Sequence, residues 1–326
     1  MIGGTTIRRI VFSALLFAVI VLPLAADNDF VGKKILYVDS YHEGWPWNDR
    51  IAAGIRKVLE GTGATLRIFY MDTKRNPSEA FKKAAGVRAK NFIDSYRPDV
   101  LIASDDNAVK YVVAPYYRNV DLPVVFCGVN WDAGIYGLPC RNVTGMVEVN
   151  LVDKMLRQLA KFAKNGGRRI GYLASDTYTE RQDGQYYAKL LGPDLARQVY
   201  VTTYPDWKRA FRELQDEVDI LIVGTPGLSD FDDADAERFV LETTKIPSGA
   251  MNDFIMPLAL MGYLKVPEEF GIWSAQTALE ILGGKSPADI PMVTNKRFEL
   301  VLNLKIADRL GVVFSTSLLK NAQILR

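Results

Sequence analysis

Apolar positions along the chain fall into two alternating kinds of run. Short, β-branched runs occupy Lys33–Asp39, Leu66–Met71, Asp99–Ser104 and Leu122–Cys127, then Arg169–Ala174, Val199–Tyr204, Val218–Gly224 and Pro247–Met251. Between them lie longer amphipathic stretches such as "WNDRIAAGIRKVLEG", "SEAFKKAAGVRAKNFIDSY", "VDKMLRQLAKFAKNG" and "DADAERFVLETT". The short runs are almost continuously apolar, which predicts parallel strands buried on both faces. Their alternation with helical periods predicts right-handed βαβ units. The pattern runs once over 33–140 and again over 169–265, so an α/β fold with two doubly wound parallel-sheet lobes is expected.

The stretch "NVTGMVEVNLVD" between the halves reads as a short joint rather than a tether. After the second half come a helix, "GIWSAQTALEILGG", and a further strand in "KSPADIPMVTNKRFELVLNLKIADRLGV". These are accounted for most simply if the chain crosses back between lobes. The expected lobes are 30–145 plus roughly 271–296, and 146–270 plus roughly 297–326. A hinge of several crossovers restricts relative motion to opening and closing of a cleft.

The first residues change where the mature chain is expected to begin. Arg8 and Arg9 precede an apolar run from Ile10 to Leu22, followed by Pro23, Ala25 and Ala26. That order predicts a signal peptide over 1–26, with an uncleaved membrane anchor as the alternative. The run falls short of the ~20 apolar residues of a comfortable membrane span. Cleavage implies a periplasmic or extracellular protein. Of 40 basic residues, loss of Arg8 and Arg9 leaves 38, against 38 acidic ones. Charge is neutral and interspersed, which argues against nucleic acid as a partner. Two cysteines remain, Cys127 and Cys140, in "CGVNWDAGIYGLPC". They either pair across this short loop or serve separately, Cys127 buried at a strand end. One His and two Cys cannot supply the usual zinc ligand set, and no cofactor motif is present.

In open α/β sheets ligands collect beyond the carboxyl ends of the strands. The residues there include the loop "SYHEGWPW" (40–47), with the only histidine and two of the five tryptophans, then "SDDNA" (104–108), Asn130 and Trp131, "SDTYTERQD" (175–183), and Asn252 and Asp253. Hydroxyls, amides, carboxylates and rings dominate. "SDDNA" also reads as a helix cap through Ser104 or Asp105. Phosphate-loop, dinucleotide-fold and serine-elbow patterns are absent, so the exported-enzyme reading lacks a motif.

The exit segment, the opening "ILYVDSYHEGWPWNDRIAAGI" and the tail "ALEILGGKSPADIPMVTNKRFELVLNLKIADRLGV" resemble a family of bacterial ABC-transporter substrate-binding proteins. The "SYH-x-G-x-x-W" opening is also similar to extracellular sensor regions of bacterial histidine kinases. The resemblance implies a class I periplasmic-binding fold that encloses a small molecule and serves, as a monomer, a membrane ABC permease or, alternatively, a sensor kinase. It carries ligand contacts onto Ser40, Tyr41 and His42, onto Asp105 and Asp106, onto Asn130 and Trp131, and onto Asp176, Thr177 and Asp253. The residues themselves add Trp45 as a candidate contact, with one of Tyr41, His42 and Trp45 expected to line the cleft and Trp47 expected to pack against the following helix.

Overall fold

The computed structural model describes residues 29–326; the expected signal peptide lies outside the described residues. The first half runs β1 (Lys34–Asp39), α1 (Pro46–Leu59), β2 (Thr65–Tyr70), α2 (Glu79–Tyr96), β3 (Val100–Ser104) and α3 (Asp105–Ala108). A π-turn over Val109–Val113 leads to α4 (Ala114–Tyr116), then β4 (Val124–Asn130) and β5 (Val143–Glu148). The second half repeats the theme with α5 (Val152–Leu159), β6 (Ile170–Ser175), α6 (Tyr178–Leu191), β7 (Leu195–Val201), α7 (Tyr204–Glu217), β8 (Ile220–Val223), α8 (Asp233–Thr243), β9 (Ser248–Ala250) and β10 (Met261–Lys265). The tail adds α9 (Pro267–Leu282), β11 (Val293–Thr294), β12 (Phe298–Asn303), α10 (Leu304–Leu310), α11 (Thr316–Lys320) and β13 (Ala322–Leu325).

These strands build two sheets, in the orders β2-β1-β3-β4-β5-β11 and β7-β6-β8-β9-β10-β12-β13. The first five strands of each follow the same doubly wound order. The first sheet is parallel throughout, and the second is parallel except where β12 runs antiparallel to β10. The chain passes between sheets three times, after Glu148, after Lys265 and after Thr294.

Alternation along the strands of the first sheet divides its two faces. Leu36, Val38, Leu101, Ala103, Val124 and Phe126 pack with α2 and the π-turn, whereas Ile35, Tyr37, Val100, Ile102, Val125 and Cys127 pack with α1 and α9. Each Val, Leu, Ile or Phe among them contributes about 1.5–3 kcal/mol by leaving water. The helix α1 starts on Pro46, with Asp49 in its first turn and Arg56 and Lys57 in its last, charges that favour a helix of this polarity. It crosses α9 closely, because Gly54 and Gly271 carry no Cβ where Glu268 and Ile51 carbonyls approach.

Several expected boundaries move for physical reasons. The stretch expected to be the joint contains a full central strand, β5, whose residues Val143–Glu148 are all buried. A register shift at Gly128, whose φ is +71°, carries β4 on to Asn130. Tyr204 belongs to α7, because Thr203 accepts from Asp206 N and starts that helix. Trp47 lies within α1 and packs against Phe270 of α9 at 5.9 Å. Both cysteines are free, so the disulfide alternative is not realised. Cys127 faces the α1/α9 side of the sheet, while Cys140 packs on the opposite side. Among the described residues no helix is long and apolar enough to cross a membrane.

Candidate functional site

In both sheets the chain reverses its winding direction beside the first strand, so β1/β3 and β6/β8 mark the topological switch points where such folds place ligands. The carboxyl ends of the two sheets meet. The last residue of β5, Glu148, accepts from Lys265 Nζ of β10 at 2.5 Å, both side chains nearly buried.

Beyond β1 and β3 lies a buried polar floor. Asn48 of α1 donates from Nδ2 to Asp39 Oδ1 (2.6 Å), Asp105 Oδ2 (2.8 Å) and Ser104 Oγ (3.1 Å). Tyr37 and Ser104 hydroxyls are 2.7 Å apart. Ser40 Oγ donates to Ser104 O (2.6 Å) and accepts from Ala108 N (2.8 Å), tying β1 to α3. Ser104 therefore makes no cap of its own, and the expected capping role passes to Ser40 across the switch point. Asp39 Oδ2 and Asn48 Oδ1 are buried without a hydrogen-bond partner. Desolvation raises the Asp39 carboxyl to about 6. Asp105 is pushed well above the usual carboxylate range by burial, then by Glu148 and Asp39.

Three of the non-glycine residues with positive φ sit on this rim: Asp72 (58°), Asp105 (65°) and Trp131 (60°). A tryptophan is seldom found there, and backbone strain of ~1–3 kcal/mol is characteristic of functional sites.

The loop after β1 stands beside the floor. Trp45 meets Tyr41 (centroids 6.0 Å, 68°) and His42 (5.8 Å), and Lys74 Nζ lies 5.2 Å from the Tyr41 ring and 4.6 Å from that of Trp45. The Tyr41 hydroxyl is raised by burial and then by the nearby charges of Asp105, Glu148 and Asp106. His42 Nδ1 is 3.8 Å from Asp72 Oδ1 and has no hydrogen-bond partner.

After β4 the arrangement reaches the other lobe. Asp106 accepts from Asn130 Nδ2 (2.7 Å) and Tyr136 OH (2.8 Å), a bracket that steadies the residue following Asn130. That residue, Trp131, donates from Nε1 to Asp183 Oδ1 (2.7 Å) and stacks on Tyr186 (4.6 Å, 12°), both on α6. Asn150 also donates to Asp183 and to the Tyr187 hydroxyl. Burial raises the Asp183 carboxyl to about 6.

The residues expected to bind ligand thus separate into groups. Tyr41, His42 and Trp45 come together in the loop after β1, while Ser40 at its start is buried and ties β1 to Ser104. Asp106 and Asn130 hold each other. On the second lobe Thr177 caps α6 and Asp176 holds Arg181 in a two-point pair, both residues exposed at the rim. Asp253 is exposed beside a hollow of about 330 Å³ that Trp47, Arg50, Lys265 and Glu299 also line. Sequence reasoning missed Asp39, Asn48, Glu148 and Lys265, and reached Asp183 only as the last residue of "SDTYTERQD". For Asp39 and Glu148 a signal existed, since each is a lone carboxylate at the end of an apolar run, "ILYVD" and "GMVE".

A family model described as ABC transporter substrate binding protein matches residues 46–325. No curated protein matches the chain. Among solved structures it is similar to the ligand-free, open structure of a substrate-binding protein with adhesive properties from Clostridium difficile, at 20% identity over 90% of this chain and 99% of that one, TM-score 0.69. It is also similar to an ABC domain in complex with L-Trp from Streptococcus pneumonia (18%, 90% and 99%, TM-score 0.57). A third similar structure is a periplasmic ribose ABC transporter from Conexibacter woesei (13%, 90% and 99%, TM-score 0.54). These are likenesses of fold.

Proposed function

Because this chain belongs to the ABC transporter substrate-binding protein family, a binding rather than an enzymatic class, we propose that it closes on one small polar or aromatic molecule between its lobes and delivers it to an ABC permease. The observation that carries the reading is the meeting of the two carboxyl rims. Strained residues, rings and carboxylates without a basic partner gather along the carboxyl rim of the first sheet, and the chain crosses three times between the lobes. A ligand touching both rims favours the closed state by its contacts with the second lobe. Export through a signal peptide cleaved after Ala26, and action as a monomer, belong to the same reading.

The rings of Tyr41 and Trp45 supply flat apolar surface, and the relative from Streptococcus pneumonia was solved with L-Trp. Aromatic amino acids therefore head the set of solutes to test. Native mass spectrometry of the mature chain as purified is the direct test: a single retained small molecule supports the reading. A chain that retains nothing and is stabilised by no solute in a broad thermal-shift panel contradicts it. Co-purification with a permease or with a sensor kinase then separates delivery from signalling.

A further inference from the structure

Resting on that reading of the cleft, we infer that the captured molecule is an organic cation, whose ammonium group seats against the Tyr41 and Trp45 rings, beside the carboxylate floor that Tyr41 joins through its amide, and displaces the Lys74 ammonium that lies there in the present structure.

Two independent observations lead here. The first is a charge imbalance. Several carboxylates elsewhere hold a basic side chain, as in Asp94 with Lys90, Asp153 with Arg157, and Asp235 with Lys208 and Arg238. At the cleft, Asp39, Asp105 and Asp106 accept only from neutral donors: Asn48 and the Tyr41 amide, Asn48, and Asn130 with Tyr136. Glu148 takes Lys265 for itself, and Asp183 accepts from Trp131 and Asn150. Asp39 Oδ2 and Asn48 Oδ1, both buried acceptors, have no donor among the described residues. A cation seated here would supply the positive partner that these carboxyls lack and favour their ionised forms, whereas an anion would disfavour them.

The second observation is the ring corner itself. Tyr41 and Trp45 meet at 68° with centroids 6.0 Å apart, so their faces form two walls. Lys74 Nζ lies within 5.2 Å of one and 4.6 Å of the other, the distances of a cation held by ring quadrupoles. Lys74 is an exposed residue that forms no ion pair among the described residues. The corner is thus already occupied by an ammonium, tethered on a flexible stem. A free ammonium of similar size fits the same geometry, and its entry releases Lys74 to water at little cost.

Matched probes test the inference in the mature full-length chain by calorimetry and thermal shift. They are choline with its neutral isostere dimethylbutanol, and phenethylamine with phenethyl alcohol and hydrocinnamate. An amine is expected to bind while its neutral and anionic counterparts do not. Trp45→Ala should weaken the amine about 5–30-fold, the range of a desolvated cation–ring contact. Lys74→Met, a change at an exposed position, should tighten it about threefold or more by removing the tethered competitor. Equal binding of amine and alcohol, weaker amine binding by Lys74→Met, or failure of all amines overturns the inference. If neutral or anionic solutes stabilise the chain while amines do not, solute capture stands and only the charge assignment falls. If no solute of any charge binds, both fall.

Discussion

Trp131 leaves the end of β4 in the first sheet, yet its indole N–H donates to Asp183 of the second lobe at 2.7 Å. The same ring stacks on Tyr186 at 4.6 Å. A single side chain in a strained backbone (φ +60°) therefore spans the two lobes. The hydrogen bond and the ring pair each contribute on the order of 1 kcal/mol. Trp131→Phe with Asp183→Ala, measured as a double-mutant cycle in urea unfolding, should show a coupling of about 1–2 kcal/mol from the lost hydrogen bond. Additive losses would mean that the contact is incidental.

Glu148 and Lys265 form a second tie beside the crossovers, and almost no water reaches it. Removing one partner leaves a buried charge unmatched. Lys265→Met should cost about 3–5 kcal/mol of unfolding free energy, and the added change Glu148→Gln should recover much of it. Denaturant titration of the three variants checks the order.

The Asp39 carboxyl, at about 6 in the folded chain against 3.8 ordinarily, is raised by burial. The folded state consequently holds its proton more tightly than the unfolded one. Ionised Asp39 therefore costs stability above pH about 6, and that cost fades as pH falls toward 4. Asp39→Asn should raise the melting temperature, relative to the native chain, more at pH 7.5 than at pH 4, by the equivalent of roughly 2–3 kcal/mol at most. An offset independent of pH would show that Asp39 titrates normally.

Close approach of α1 to α9 depends on glycine. A Cβ on Gly271 would lie 2.0 Å from Ile51 O, a backbone atom with no room to yield. Gly271→Ala should destabilise the chain by about 3 kcal/mol or more, at the upper end of overpacking costs. Thermal unfolding within ~0.5 kcal/mol of the native chain would contradict this packing.

The two-lobed α/β fold was legible because β1, β3, β4, β6 and β8 are buried on both faces, so their sequences are apolar without interruption. Strand β5 was not, because "VTGMVE" mixes Thr144 and Glu148 into the run. Thr144 is buried only because its hydroxyl donates to Ile290 O from the returning tail. The loop with Tyr41, His42 and Trp45 stood out by composition, since large rings beside Gly and Pro need a reason to be there. Its polar floor did not. Asn48 lies on a helix where amides are ordinary, and only the sheet order places it against Asp39 and Asp105, 57 residues away in sequence for the latter. Asp183 and Lys265 likewise gain meaning only from the meeting of the lobes.

Capture of a solute between the lobes is the central claim, and small-angle X-ray scattering of the mature chain with the molecule it retains, or with the best-binding solute, tests it most directly. Closure of the lobes on the solute should reduce the radius of gyration on saturation with one molecule per chain, and Trp45→Ala should bind more weakly. Saturable binding with no change in radius, and with affinity unaffected by Trp45→Ala, would contradict it.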